Sequence, residues 1–148
     1  MAVTNTASAK WSGGLKDGSG SLSTGSGVFK DQPYSFKKRF EGEAGTNPEE
    51  LIAAAHAGCF TMALSKILGE AGMTADSLET TAKVILDQVD GGFAVTKIEL
   101  SLDATIPGAD QGAFEGAAVA AKEGCPISKL LDTEITLSLR LNDEALAA

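Results

Sequence analysis

From Leu51 to Leu68 the chain reads Leu-Ile-Ala-Ala-Ala-His-Ala-Gly-Cys-Phe-Thr-Met-Ala-Leu-Ser-Lys-Ile-Leu, a run that is apolar on nearly every face of a helix. The residues before it form a strong helix start. Asn47 can cap, Pro48 suits the first turn, and Glu50 completes a capping-box-like pattern. The helix is expected from Pro48 to about Gly69. The run is long enough to raise the question of a membrane span. It contains His56, Gly58, Ser65 and Lys66, however, and six of its residues are alanine or glycine. A buried core helix is the better reading. A helix without a polar face needs cover on several sides. One 148-residue chain struggles to supply that cover, and a dimer supplies it easily.

The flanking sequence is rich in strand signals. Residues 10–40 carry Gly13-Gly14, Asp17-Gly18, Gly20, Gly25 and Gly27 between short runs, the pattern of a small antiparallel meander. Pro33 to Phe40 alternates apolar and polar positions, which places Tyr34 and Phe36 on one face of a strand. Residues 41–47 are a polar loop. Beyond the helix, Gly72 to Leu78 reads as a turn and residues 78–90 as a strand. Asp90-Gly91-Gly92 reads as a hairpin turn, and Phe93 to Ala104 as the returning strand, closed by Ile106-Pro107-Gly108. An alanine-rich helix is expected over 110–123, ending at Gly124. A short helix follows from Cys125-Pro126 to about Leu131, and a last strand over Glu134–Leu141. No repeats or linkers interrupt this order, so the chain reads as one α+β domain over residues 1–148. With 43% hydrophobic and only 5% aromatic residues, its core must be filled mainly by aliphatic side chains and alanine.

The formal net charge of −8 argues against nucleic acid, whose binders need a basic surface to displace counterions. The one basic run, Lys37-Lys38-Arg39, is followed at once by Glu41 and Glu43. An anionic membrane surface is disfavoured for the same reason. The first residues, Met1-Ala-Val-Thr-Asn-Thr-Ala-Ser, lack the basic start and apolar stretch of a signal peptide. The cytoplasm is therefore the expected compartment. Two cysteines in a reducing compartment are a poor structural staple. With a sole histidine, His56, they are also too few for a zinc site. No metal and no cofactor is expected.

Cys59 and Cys125 are thus either two buried bystanders or a reactive pair. Cys59 falls near the middle of the apolar helix, where a cysteine behaves as a small hydrophobe. Cys125 precedes Pro126 at a helix start, where amide groups favour a thiolate. His56 lies three residues before Cys59, on the same helix face. That spacing permits a Cys-His pair for acyl transfer, as in a thioesterase, although packing plus one hydrogen bond is the simpler reading of His56. Arg39 and Glu49 flank the loop before the helix. Strand alternation turns Arg39 inward, where a buried thiolate has need of a cation. A non-enzymatic binding or stress-related protein with inert cysteines is a third reading.

The run from Arg39 through Gly45-Thr-Asn-Pro-Glu-Glu-Leu to Cys59-Phe60 closely resembles the OsmC (osmotically inducible protein C) peroxidases of the OsmC/Ohr family, and so does Gly124-Cys125-Pro126-Ile-Ser-Lys. The resemblance extends over essentially the whole chain, including Tyr34-Ser-Phe, Gly69-Glu-Ala-Gly and Asp90-Gly-Gly-Phe-Ala-Val-Thr-Lys-Ile. His56 fits the OsmC branch, since the Ohr branch usually has tyrosine there. The resemblance implies an intertwined homodimer, with long central helices wrapped by antiparallel sheets and sites at the subunit interface. It implies that Cys59 is the peroxidatic cysteine and Cys125 the resolving one, and that Arg39 and Glu49 activate the thiolate. The substrate it implies is an organic hydroperoxide, with hydrogen peroxide a poorer one, and the reductant an external dithiol, possibly of lipoyl type.

The expected helix constrains how those four residues combine. Glu49 and Cys59 are ten residues apart, which is roughly 15 Å along a helix axis and on different faces. Either the helix breaks between them, or the Arg39–Glu49 pair that serves Cys59 comes from the other subunit.

Overall fold

A computed structural model describes residues 1–147. They fall into two compact units, Met1–Leu51 and the residues from Ile52 onward. In the first unit, β1 (Ala7–Ser12), β2 (Ser19–Thr24) and β3 (Gln32–Tyr34) form an antiparallel sheet in that order. The expected meander is present, and its first strand begins earlier than residue 10. The strand expected to run on to Phe40 stops at Tyr34. Ser35 caps a one-turn helix, α1 (Phe36–Phe40), by accepting a hydrogen bond from the Lys38 amide at 3.2 Å. Helix wins here because Phe36 and Phe40 are four residues apart. Their rings meet with centroids 4.9 Å apart, a contact that a strand cannot make. Arg39 is therefore oriented by a helical turn, where strand alternation was expected to orient it.

One row crosses the first sheet. Trp11 pairs with Gly20, and Gly20 with Tyr34. The missing side chain at Gly20 lets the two rings close over it, with centroids 5.4 Å apart. A Cβ on Gly20 would meet the Trp11 ring at 2.7 Å and the Tyr34 ring closer still.

Helix α2 (Pro48–Glu70) is unbroken and starts as expected, with the Asn47 side chain accepting from the Glu50 amide at 2.8 Å. In the second unit it is followed by β4 (Ser77–Val89), β5 (Gly92–Thr105), α3 (Gln111–Gly124), α4 (Pro126–Leu130), β6 (Glu134–Leu141) and β7 (Glu144–Ala145). The sheet order is β4-β5-β6-β7. Gly91 and Gly92, with φ of 94° and 140°, make the β4–β5 turn. β5 and β6 pair in parallel, so this sheet is mixed where an antiparallel one was expected. The two intervening helices form the crossover that parallel strands require. The two-residue strand β7 was not legible as a strand.

Alternation on β5 turns Ile98, Leu100, Leu102 and Ala104 inward. They form one core with Phe60, Leu64 and Leu68 of α2 and Phe114, Ala117, Ala118 and Ala121 of α3. Small alanines on α3 let helix and sheet approach closely. The buried residues of α2 form a single stripe, His56, Phe60, Leu64 and Leu68, spaced four apart. Burial on several sides, expected from the sequence, is not achieved within one chain: Met62 is 77% exposed. Beside this stripe runs an open groove of about 880 Å³, bordered by Ala57, Gly58, Thr61, Met62 and Thr80. Among the described residues, Pro48–Glu70 is the one helix long and apolar enough to cross a membrane. Its stripe is nonetheless part of the core.

Replacing Gly20 with valine is expected to lower stability by about 1–3 kcal/mol, the cost of overpacking, through separation of Trp11 from Tyr34. A thermal melt equal to wild type would contradict the packing role given to this glycine.

Candidate active site

The second unit brings the two cysteines together. Cys59 sits in mid-α2, half-buried, and Cys125 sits fully buried at the junction of α3 and α4. Both are free thiols, and their Sγ atoms lie 2.7 Å apart. A disulfide needs about 2.05 Å, so a small closing movement joins them.

Local sequence fixes Cys125. Its amide donates to Ala121 O at 2.9 Å, and its carbonyl accepts from the Lys129 amide at 3.1 Å. Pro126 starts α4 without an N–H of its own. Ile127 and Ser128 follow on the first turn of α4, where their amides and the Ser128 hydroxyl all act to lower the pKa of the Cys125 thiol. Burial is the largest single influence on the Cys125 thiol and pushes its pKa up. The polar neighbours Cys59, Ser128 and Ile127 together outweigh it, and the net direction is down. The Cys59 thiol is pushed up by burial, and further by its hydrogen bond with Cys125, against a smaller opposing contribution from the Ile127 amide. Within one chain, therefore, the neutral neighbours favour ionisation of Cys125 over that of Cys59. That is the reverse of the distribution expected for a peroxidatic Cys59, so Cys59 needs a cation to become the thiolate.

His56 is fully buried on the α2 stripe, and its Nε2 lies 2.7 Å from Ser128 Oγ. Its Nδ1 has no hydrogen-bond partner among the described residues. The ring thus packs and makes one hydrogen bond, and that bond goes to Ser128. The geometry gives the Cys59–His56 acyl-transfer pair no support. Burial lowers the His56 pKa from its ordinary 6.5.

The first unit holds the charged pair. Arg39 grips Glu49 in a bidentate arrangement, Nε to Oε2 at 3.1 Å and Nη2 to Oε1 at 2.6 Å. Glu49 is well covered, at 13% side-chain exposure, while Arg39 keeps 36%. The guanidinium also lies 5.1 Å from the centre of the Phe40 ring. The pair uses two of the five guanidinium N–H groups. Beside it lies an apolar cavity of about 320 Å³, walled by Trp11, Leu15, Tyr34, Phe36, Phe40 and Pro48.

Two features, one in each unit, were not legible in the sequence. One is Ser128, three residues after Cys125 at a helix start, a spacing that returns a hydroxyl towards the capping position. The other is the aromatic wall, whose Trp11 and Tyr34 come together across β2. Among the described residues, no three His, Cys, Asp or Glu side chains gather as a metal-binding group.

Comparison with known proteins gives one consistent result. The family model described as OsmC-like protein matches residues 40–140. Peroxiredoxin OsmC of Escherichia coli (strain K12) is 55% identical over 141 residues, covering 95% of this chain and 99% of that protein. Organic hydroperoxide resistance protein OhrB of Bacillus subtilis (strain 168) is 32% identical over 123 residues, covering 82% of this chain and 88% of that one. The crystal structure of Bacillus subtilis OhrB superposes with a TM-score of 0.66 at 31% identity, over 93% of this chain and 98% of that chain.

Because the His56 pKa is lowered on folding, the unfolded chain binds more protons below pH 6.5. The stability contributed by keeping His56 neutral is complete above 6.5 and is lost as pH falls through the lower folded value. Denaturation of His56→Gln is expected to show a shallower loss of stability than wild type between about pH 6.5 and 5. Parallel curves for the two proteins would show that His56 does not titrate as described.

Proposed function

The chain belongs to the OsmC-like protein family, and on that premise we propose that it is a cysteine-based peroxidase that reduces organic hydroperoxides to alcohols. The observation that carries this reading is the meeting of Cys59 and Cys125 at 2.7 Å from positions 66 residues apart. The whole of residues 1–148 is read as one OsmC-like domain serving that pair.

Cys59, as a thiolate, attacks the distal oxygen of the hydroperoxide. The O–O bond breaks, the alcohol leaves with a proton, and Cys59 becomes a sulfenic acid. Cys125 then attacks the Cys59 sulfur, a disulfide forms, and the sulfenic oxygen departs as water. An external dithiol, of lipoyl type in this proposal, restores both thiols by exchange. The alanine and aliphatic surroundings of Cys59 favour an apolar substituent over hydrogen peroxide. A cytoplasmic setting suits cysteines that must return to the thiol state in each cycle.

Arg39 supplies the cation that Cys59 lacks, and Glu49 holds the guanidinium in orientation. Because α2 is unbroken, ten residues separate Glu49 from Cys59 by roughly 15 Å along the axis, on different faces. The Arg39–Glu49 pair serving Cys59 therefore belongs to a second subunit in this proposal. A homodimer with two composite sites also covers the face of α2 that one chain leaves open.

Two experiments test these roles. Cys59→Ser is expected to abolish turnover, whereas Cys125→Ser consumes about one hydroperoxide per chain and then stalls or overoxidises. Substantial turnover by Cys59→Ser would overturn the assignment. For the composite site, Arg39→Ala alone is expected to lose about 100-fold or more in rate, as on removal of a preorganised electrostatic partner. Refolding it with inactive Cys59→Ser is expected to restore up to about a quarter of wild-type activity, since a mixed dimer carries one intact site. Exchange of subunits without recovery, or an active monomer at assay concentration, would sink the shared-site arrangement.

A further inference from the structure

The fully buried His56, 2.7 Å from Ser128, lies one hydrogen bond away from the resolving sulfur. Ser128 has one hydroxyl proton and stands between two acceptors, the His56 ring and the Cys125 sulfur. Which of them receives that proton depends on the tautomer of His56. A proton on Nδ1 would bury an N–H with no partner among the described residues, and orphaned buried N–H groups are rarer than under-satisfied acceptors. The ring proton therefore belongs on Nε2, and Nε2–H donates to Ser128 Oγ. The hydroxyl proton is then committed to the other side, where Cys125 is its partner.

We propose that His56 and Ser128 are positioning residues for the resolving step: His56 Nε2–H donates to Ser128 Oγ, and the Ser128 hydroxyl in turn donates to Cys125 Sγ and holds it as a thiolate aimed at Cys59. The inference rests on the peroxidase reading for the step that Cys125 performs. In that step the Cys125 thiolate supplies the electron pair for the new S–S bond. The S–O bond of the Cys59 sulfenic acid breaks, and the departing hydroxide takes up the proton that Cys125 released, giving water. The hydroperoxide is the oxidant throughout, and the relay itself gains and loses no electrons.

The arrangement is selective for one sulfur. Ser128, held by His56 at 2.7 Å, acts to lower the pKa of the Cys125 thiol, whereas the Cys59 thiol feels only the Ile127 amide in that direction. Losing the hydroxyl should thus slow disulfide formation without slowing sulfenic acid formation at Cys59. One lost hydrogen bond to a charged sulfur is equivalent to a rise of about one pH unit in the titration of Cys125. Tenfold less thiolate is partly offset by the higher nucleophilicity of a more basic sulfur. The net expectation is a fall of about threefold in the disulfide-forming rate at neutral pH.

Because His56 is the sole histidine, long-range ¹H–¹⁵N correlation on ¹⁵N-histidine-labelled wild type reads its tautomer without ambiguity. Nε2–H is expected, and an Nδ1–H tautomer overturns the relay. Thiolate absorbance near 240 nm in Cys59→Ser, with and without Ser128→Ala, then reads Cys125 alone and needs no catalysis. The added Ser128→Ala change is expected to raise the titration by about one unit, and Ser128→Thr to restore it. An unchanged titration in a cooperatively melting Ser128→Ala protein overturns the relay. If that variant does not fold, the wild-type tautomer decides. Rapid-quench alkylation and intact mass of otherwise wild-type chains should show the threefold slowing in Ser128→Ala, with His56→Gln, which keeps an N–H donor, near wild type. Equal disulfide rates in folded Ser128→Ala and wild type contradict the relay. Normal multiple turnover by Cys125→Ser would instead refute the resolver role, an outcome readable apart from the Cys125 titration.

Discussion

Two sulfurs 2.7 Å apart, one on a core helix and one at the junction of two others, are the arrangement on which the rest of this molecule's chemistry depends. Their closeness forbids both from ionising, since a second negative charge at that range in a buried setting is strongly unfavourable. The pair therefore holds at most one thiolate, and which sulfur ionises more readily is decided by what surrounds it. On the Cys125 side are two amides and a hydroxyl. On the Cys59 side the same unit offers one amide and burial. A peroxidatic Cys59 needs a charge from outside this neutral set, and in the proposed dimer the bidentate Arg39–Glu49 pair of the other chain supplies it.

The same division explains the shape of α2. A helix buried along only His56, Phe60, Leu64 and Leu68, with Met62 in the open and glycine and alanine beside it, is half of a packing problem. Burying an apolar face is favourable at about 25 cal/mol per Å². The proposed dimer gains that free energy from the surface that would also bring the arginine of one chain to the cysteine of the other. In that proposal assembly and activation of the Cys59 thiolate are one event.

Much of this was legible in the sequence because the signals were local and strong. Asn47-Pro48 and Glu50 fixed the start of α2, and Asp90-Gly91-Gly92 fixed the long hairpin. Clean alternation marked β5 and β6. The misreading at Phe36–Phe40 arose because a five-residue segment satisfies a period of two and an i,i+4 pair equally well, and ring contact with a serine cap decided between them. The parallel pairing of β5 with β6 depends on how two helices cross the sheet, which no local pattern encodes. The cysteine pair was named through family resemblance, since no spacing rule joins positions 59 and 125. Ser128 became visible only once α4 had turned its hydroxyl back towards Cys125, and the aromatic wall only once Trp11 and Tyr34 were brought together over Gly20.

The central claim is that Cys59 and Cys125 act as one redox unit within a chain. Free-thiol titration before and after substoichiometric organic hydroperoxide, read beside a non-reducing gel, measures this directly. The account predicts two thiols lost for each hydroperoxide added and no crosslinked chains. Loss of a single thiol per hydroperoxide, or a disulfide that joins two chains, would contradict it.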